Sequence, residues 1–257
     1  VSTVDTFTIS QDDSGKEYLI AREVTEKLKN CTNSIAQTSP DHIREYLSWA
    51  VWMTEGMMAL GAVSPFYGAI HNHLKSHDVL LGGFAGNLVL GGLFMSEERI
   101  KRKFTIHERT EMMGNILDAR GVQPLLSILV HNDFKDKFPL FIRKSLQEQY
   151  DYLSDITDVF VFQYDLFVML ERYRRGYNAN RGLLGHFIIE EFYPLIDIDL
   201  FDFIYSLPPE IRLDYRLYKA IYKKYFPALA EIVWLHTGKS LVNEKTNWIE
   251  NEGKNIL

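Results

Sequence analysis

The sequence contains almost no cysteine. Cys31 is the single cysteine among 257 residues, so the chain cannot form an internal disulfide. This excludes the disulfide-linked scaffolds of small secreted proteins and is typical of a reducing compartment. We therefore predict a cytoplasmic protein whose stability depends on hydrophobic packing, for which an apolar content of 46% is sufficient.

An excess of positive charge is also missing. The formal net charge is −6, with 28 Lys and Arg against 34 Asp and Glu. Proteins that bind nucleic acid through its phosphates need a surface rich in Lys and Arg. Two basic clusters, residues 99–103 and 172–175, lie beside acidic residues, and we interpret both as solvated helix faces. The sequence predicts no nucleic-acid partner.

The chain lacks a long apolar run suited to a membrane. The uncharged stretch 79–95 approaches the ~20 residues that a spanning helix needs. It contains several glycines, however, and each weakens a helix by about 1 kcal/mol. A buried strand followed by a glycine-rich turn explains this stretch better, and we predict a soluble protein without a membrane partner.

The first 95 residues alternate between strand and helix patterns. We predict strands over 4–10, 34–38 and 78–81, and helices over 17–29, 40–55 and 65–76. Ser39 is expected to cap the second helix, with Pro40 at its first position. Such alternation is typical of a parallel sheet with helices packed on its faces.

From about residue 96 the strand patterns almost disappear. Helical spacing covers 97–103, 108–120, 122–130, 137–155, 159–175 and 215–225. We therefore predict an α/β part over residues 1–95, followed by a mainly helical part over residues 96–257.

A glycine-rich turn follows the predicted strand 78–81. From Leu80 the segment reads LLGGFAGNLVLGG, which leads from an apolar strand into helical sequence. Backbone N–H groups in such a turn can approach an anion closely, at the sheet edge where α/β proteins bind ligands. Tight packing between strand and helix also requires glycine. The pattern alone leaves both interpretations open.

A second motif, residues 193–212, reads YPLIDIDLFDFIYSLPPEIR. Together the two segments resemble the asparagine synthetase family, whose patterns read LLSGxGADELFGGY and PFLDxDLVEFxxSLPPELR. The second motif is the more specific, with matches that include Pro194, Asp197 and Arg212. Residues 6–10 and 21–24 resemble the family's TFTIGF strand and the helix after it, so the similarity spans about residues 6–238.

The resemblance implies a fold and a chemistry. The fold is a parallel α/β sheet of the adenine nucleotide alpha-hydrolase type with a large helical C-terminal portion, in which residues 1–95 form the nucleotide-binding-like part. Enzymes of the family use ATP and magnesium to adenylate a small carboxylate substrate, and ammonia then displaces AMP.

One element of that chemistry is missing from the sequence. The family holds pyrophosphate with an SGGxDS loop, and the chain contains no SGGxDS. The first strand of the chain corresponds to the family's second, so we expect the family's first strand and loop either upstream of Val1 or absent from the protein. The resemblance also implies an N-terminal glutaminase domain or a partner subunit.

The glycine-rich turn departs from the family at its acids. The family's glutamate falls on Phe84, its magnesium-binding aspartate on Asn87, and the next glutamate on Leu88. Magnesium prefers carboxylates, so Asn87 is left as a weak metal ligand through its neutral oxygen. By the same resemblance, the expected cofactor-binding residues of the turn are Gly82, Gly83, Asn87, Gly91 and Gly92.

Three further candidate site residues come from aligning the chain with the family's patterns. The family's phosphate-contacting basic residue falls on Arg216 or Lys219; we expect Arg216 to contact the nucleotide and Lys219 to act in catalysis. Glu55 stands in the place of a DEP tripeptide of the family, and as the acid retained near the expected site it is the second expected catalytic residue. Each residue is more commonly a helix-surface charge than a ligand.

Other sites and functions were weighed against this one. His73 and His77 have a spacing that zinc sites use, but the sequence indicates no third ligand. Three functions compete: an ATP-dependent amide-forming ligase completed by an upstream loop, a degenerate homologue kept for binding or assembly, and a non-catalytic subunit of a larger complex. Loss of three acids in one turn favours degeneracy over a true asparagine synthetase.

Overall fold

The computed structural model describes residues 3–10, 12–54, 73–74, 77–92, 95–118, 131–134, 137–171 and 189–243. In these ranges the protein is mixed α/β and mostly helical. The strands are β1 (Val4–Ser10), β2 (Cys31–Gln37), β3 (Val79–Leu81), β4 (Glu190–Phe192), β5 (Val233–Trp234) and β6 (Lys239–Ser240). The helices are α1 (Lys16–Leu28), α2 (Asp41–Thr54), α3 (Gly86–Gly91), α4 (Glu97–Lys101), α5 (Ile106–Asp118), α6 (Phe138–Ile156), α7 (Phe160–Phe167), α8 (Ile198–Ser206), α9 (Arg216–Tyr225) and α10 (Pro227–Ala230).

The N-terminal unit is a parallel strand–helix–strand crossover. β1 and β2 pair in parallel, from Val4 opposite Cys31 to Ser10 opposite Gln37, and α1 connects them. α1 ends where Lys29 adopts a left-handed φ of 59°. The predictions of a strand over 4–10 and a helix over 17–29 are confirmed. β2 begins three residues before the predicted 34, because its first residues are polar and give no apolar pattern.

A second parallel pair joins distant parts of the chain. β3 pairs with β4, with Val79 opposite Glu190 and Leu81 opposite Phe192. Leu80 packs with the buried Leu74 and Ile189 and with side chains of β1. No sequence pattern predicts β4, a strand of three residues that begins with two glutamates.

The largest described core cluster lies in the helical part. It contains Leu88 of α3, Phe104, and residues of α6 and α7 that include Leu153 and Phe160. The predicted helices over 97–103, 108–120, 137–155 and 215–225 are observed with ends shifted by a few residues. The predicted helix 122–130, the basic cluster 172–175 and most of the predicted helix 65–76 lie outside the described residues.

The described surface charges are paired as expected for solvated helices. In the cluster 99–103, Arg102 forms ion pairs with Glu98 and Glu108, and Lys101 with Glu97. Within the described ranges, no helix combines the length and apolar character needed to cross a membrane.

Candidate functional site

The glycine-rich turn leaves the carboxyl end of β3. The backbone N–H of Gly82 donates to the carbonyl of Phe192 at 2.8 Å, which extends the β3–β4 pairing by one bond. Ala85 then adopts a left-handed φ of 60° at the start of α3, and Gly92 ends the helix with a φ of 68°. The family pattern has glycine at the position of Ala85, where a side chain costs about 1–2 kcal/mol. In this chain the left-handed conformation is therefore adopted by alanine, although glycine would adopt it with less strain.

Several glycines of the turn are required by packing. A Cβ on Gly82 would lie 2.6 Å from the ring of Tyr193, and one on Gly91 would lie 2.3 Å from the ring of Tyr215. Gly83 differs, because a Cβ there would meet nothing within 4 Å. Packing therefore accounts for Gly82 and Gly91, and Gly83 is the glycine of this group whose backbone borders open space.

The side chains at the three positions of the missing acids differ in their burial and in their contacts. Leu88 is 0% exposed and belongs to the main core cluster. Phe84 is half-buried, and its ring meets the edge of Tyr193 with centroids 5.5 Å apart. Asn87 is exposed, and its amide oxygen accepts the backbone N–H of Leu88 at 2.9 Å. The turn thus offers no carboxylate at these positions, and the described residues do not fit a magnesium ion.

Arg212 connects the two motifs of the sequence and also forms a buried ion pair. Arg212 and Asp165 are both 0% exposed, and Nη2 of Arg212 donates to the Asp165 carboxylate at 2.8 Å. Nε of Arg212 also donates to the carbonyl of Val89 at 2.9 Å, and Nη2 to that of Leu88. These carbonyls belong to the last turn of α3, and the Leu88 carbonyl also accepts the backbone N–H of Gly92. Arg212 therefore fixes the carboxyl end of the helix that follows the glycine-rich turn.

Tyr205 completes the surroundings of this pair. Its ring lies 4.4 Å from the Arg212 guanidinium carbon, in cation–π geometry. Burial raises the pKa of the Tyr205 hydroxyl above its ordinary value, and the Asp165 carboxylate raises it further. Tyr205 therefore stays protonated. The second motif contains Arg212, but no sequence pattern points to its partner Asp165 in α7.

The two basic candidates are both mostly buried on α9 but have different neighbours. Arg216 is mostly buried and donates to the Glu97 carboxylate and to the carbonyl of Glu210, at 3.5 and 3.4 Å. Lys219 is 9% exposed, with Nζ 5.5 Å from the Trp234 ring. The structure thus places Lys219 in the interior and Arg216 in a contact with α4. Glu55 lies outside the described residues, so its relation to these two is not described.

The backbone before α9 is strained where it approaches the turn. Asp214 and Tyr215 are consecutive non-glycine residues with φ of 50° and 58°. Left-handed conformations of this kind cost about 1–2 kcal/mol per residue. The Tyr215 ring packs on Gly91 and contacts the rings of Trp234 and His236. The strained backbone at Asp214 and Tyr215 therefore accompanies the contact between the Tyr215 ring and the glycine-rich turn.

The histidines near β1 are held by hydrogen bonds. His73 lies 3.0 Å from the Ser34 hydroxyl, and Nε2 of His77 lies 3.1 Å from the Asp5 carboxylate. Burial and the neighbouring His77 lower the pKa of His73. Among the described residues no group of three or more His, Cys, Asp or Glu side chains is arranged to hold a metal ion.

Comparison with known proteins identifies the family. The sequence model of the asparagine synthase family matches residues 1–255, which is nearly the whole chain. Searches of curated proteins and of solved structures found no match. The structure brings together the two motifs that carried the resemblance, through the bonds of Arg212 to α3. The chain belongs to the asparagine synthase family.

Proposed function

We propose that the chain is an asparagine-synthase-like, carboxylate-adenylating domain of the ATP-dependent, amide-forming type, and that it is degenerate at its magnesium–ATP site. The observation that supports degeneracy most is the packing of Leu88 and Phe84. Both occupy family acid positions, and both are now part of hydrophobic clusters. Because these side chains pack in hydrophobic clusters, the replacement of the family's acids both removes two charges and adds apolar contacts.

The fold of this proposal is the adenine nucleotide alpha-hydrolase type that the family implies. We propose that residues 1–95 and 96–257 form two parts of one synthetase-like domain. The parallel pairing of β3 with β4 and the bonds from Arg212 to α3 support this, since both join the two parts. A glutaminase domain or partner subunit remains part of the proposal, as does a small carboxylate substrate.

A second candidate is a non-catalytic homologue that acts as a binding or assembly subunit. The environments of the basic candidates favour it. Lys219 lies in the interior beside Trp234, and Arg216 forms an ion pair with Glu97. Under this candidate both residues stabilise the packing of α9 instead of contacting phosphates.

An ATP–pyrophosphate exchange assay over a panel of carboxylates, paired with ATP titration calorimetry, separates these outcomes. The proposal predicts no exchange above background. ATP binding without exchange would support a degenerate adenylating domain, and the absence of both would support the non-catalytic subunit. Robust exchange with any carboxylate would contradict degeneracy.

A further inference from the structure

Two histidines join the residues before β3 to both N-terminal strands. Nε2 of His73 lies 3.0 Å from the hydroxyl oxygen of Ser34 in β2. Nε2 of His77 lies 3.1 Å from the carboxylate of Asp5 in β1. Between them in the chain, Leu74 is buried in a hydrophobic cluster with side chains of β1 and β3. The histidines therefore form the polar border of a contact between the β1–β2 pair and the chain that leads into β3.

The two imidazole rings are close enough to repel each other when both are protonated. They are stacked, with centroids 6.4 Å apart and planes 10° apart. At this separation a charge on one ring weakens protonation of the other about threefold even in the dielectric of water, and more where water is partly excluded. His73 is half-buried and packs on the Phe7 ring, with centroids 4.8 Å apart. A charge on His73 is therefore opposed both by burial and by a charge on His77.

One carboxylate serves both histidines. Asp5 accepts the Thr32 hydroxyl at 2.5 Å, and the hydrogen bonds from Thr32 and His77 lower the pKa of the Asp5 carboxyl. Asp5 therefore stays ionised in mildly acidic solution. In the described part of the chain, the charged groups that face His73 are Asp5 from β1 and His77, while β2 presents the uncharged Thr32 and Ser34. Asp5 balances a first proton, on His77, but these groups hold no second carboxylate to balance a proton on His73.

We propose that His73 and His77 form a pH-sensitive latch, which holds the residues before β3 against β1 and β2 while at most one imidazole is charged and weakens when both are. The weakening is electrostatic, because a charged imidazole can still donate a hydrogen bond to the Ser34 hydroxyl. Histidine is the side chain whose charge ordinarily changes between pH 5 and pH 8. Since β3 leads into the glycine-rich turn, the latch makes the attachment of that turn to the N-terminal strands depend on pH. The latch is independent of the proposed function.

The direction of the pH effect follows from the surroundings of His73. Burial and the neighbouring His77 lower the pKa of the His73 imidazole in the folded protein. Below the ordinary imidazole pKa, the unfolded chain therefore binds more protons at this residue than the folded protein does. The stabilisation from the latch is present above the ordinary pKa and is lost as pH falls through the lowered value.

Amide hydrogen exchange of the wild-type protein at about pH 7.5 and about pH 5 tests the latch. The readout is the protection factor of the His77 amide, whose hydrogen is bonded to the Leu74 carbonyl. We expect this factor to fall about threefold or more at the lower pH, from the repulsion of the two charges. His73→Gln keeps a side chain that can bond to Ser34 but cannot become charged, and should lose most of this pH dependence. His107→Gln, at an exposed position of α5, should follow the wild type.

NMR titration of the imidazole resonances tests the coupling between the two rings. His77→Gln removes the like charge and should raise the pKa of His73. Three results would overturn the latch: equal protection of the wild-type His77 amide at both pH values, a folded His73→Gln protein with the wild-type pH dependence, or a His73 pKa that His77→Gln leaves unchanged. The first needs no variant. Since no nucleotide is added, a failure of ATP binding or exchange leaves all three results readable.

Discussion

At the scale of single residues, Asn87 and Leu88 are neighbours with opposite surroundings. Both occupy positions where the family pattern has an acid. Asn87 is exposed at the start of α3, whereas Leu88 is 0% exposed among the side chains of α6 and α7. Restoring an acid therefore has different consequences at the two positions.

The substitution Leu88→Glu should lower the free energy of unfolding by roughly 4 kcal/mol. The buried carboxylate would lack a partner, and such desolvation costs several kcal/mol even after relaxation. Asn87→Asp is the matched control, since its side chain is exposed and near a helix N-terminus, and it should change stability by less than about 0.5 kcal/mol. Urea denaturation of both variants measures the difference. Equal stability of the two would show that Leu88 is not part of the core.

Asp165→Asn tests the buried ion pair. The change leaves the Arg212 guanidinium charged and uncompensated in the interior, which typically costs about 3–5 kcal/mol. Glu97→Gln removes the exposed carboxylate that pairs with Arg216 and should cost at most about 1 kcal/mol. Chemical denaturation of the two variants gives both values. A small effect for Asp165→Asn would mean that the bonds of Arg212 to α3 alone hold the motif in place.

At the scale of elements, the contact between α3 and α9 depends on Gly91. Glycine to alanine within a helix normally stabilises by about 1 kcal/mol. At Gly91 the new Cβ would lie 2.3 Å from the Tyr215 ring, so we expect Gly91→Ala to destabilise by about 1–3 kcal/mol instead. Gly83→Ala has open space and should be close to neutral. Thermal unfolding of the pair checks the sign; stabilisation by Gly91→Ala would contradict the contact.

The start of α5 is a capping box, which gives a prediction about pH. The Thr105 hydroxyl accepts the backbone N–H of Glu108, and the Glu108 carboxylate accepts the backbone N–H of Thr105 at 2.8 Å. This backbone hydrogen bond is the largest cause that lowers the pKa of Glu108. A lowered folded-state pKa stabilises the protein above the ordinary carboxyl pKa, and the stabilisation is lost as pH falls through the lowered value.

Glu108→Gln should therefore reduce the loss of stability between about pH 6 and about pH 3. Urea midpoints of wild type and variant at both pH values measure this difference. Asp133→Asn, an exposed acid in another turn, serves as the control and should follow the wild type. An unchanged pH dependence in Glu108→Gln would mean that the cap does not contribute.

At the scale of the whole molecule, sequence pattern predicted the elements that carry their own periodicity. β1, α1 and α6 follow from apolar spacing over seven or more residues. β4 does not follow from such spacing, because it has three residues and depends on pairing with β3. The short helix α8 does not either; its residues belong to the second motif, which indicated the family and not a helix. Tertiary contacts decide such elements, and single-sequence patterns do not contain them.

For the candidate site, the sequence likewise predicted which residues occupy the family positions but not how their side chains pack. The two motifs and the lost acids at Phe84 and Leu88 could be found by resemblance, position by position. Their packing could not, and neither could the pairing of Arg212 with Asp165, which are 47 residues apart in the chain.

The central proposal is that the glycine-rich turn keeps glycines of the family pattern but does not hold magnesium. Calorimetric titration of the wild-type protein with ATP, in excess magnesium and again in excess chelator, tests it most directly. Because Asn87 offers only a neutral oxygen, which is engaged by the Leu88 N–H, we predict the same ATP affinity, or the same absence of binding, in both conditions. An ATP affinity at least tenfold higher with magnesium would contradict the account.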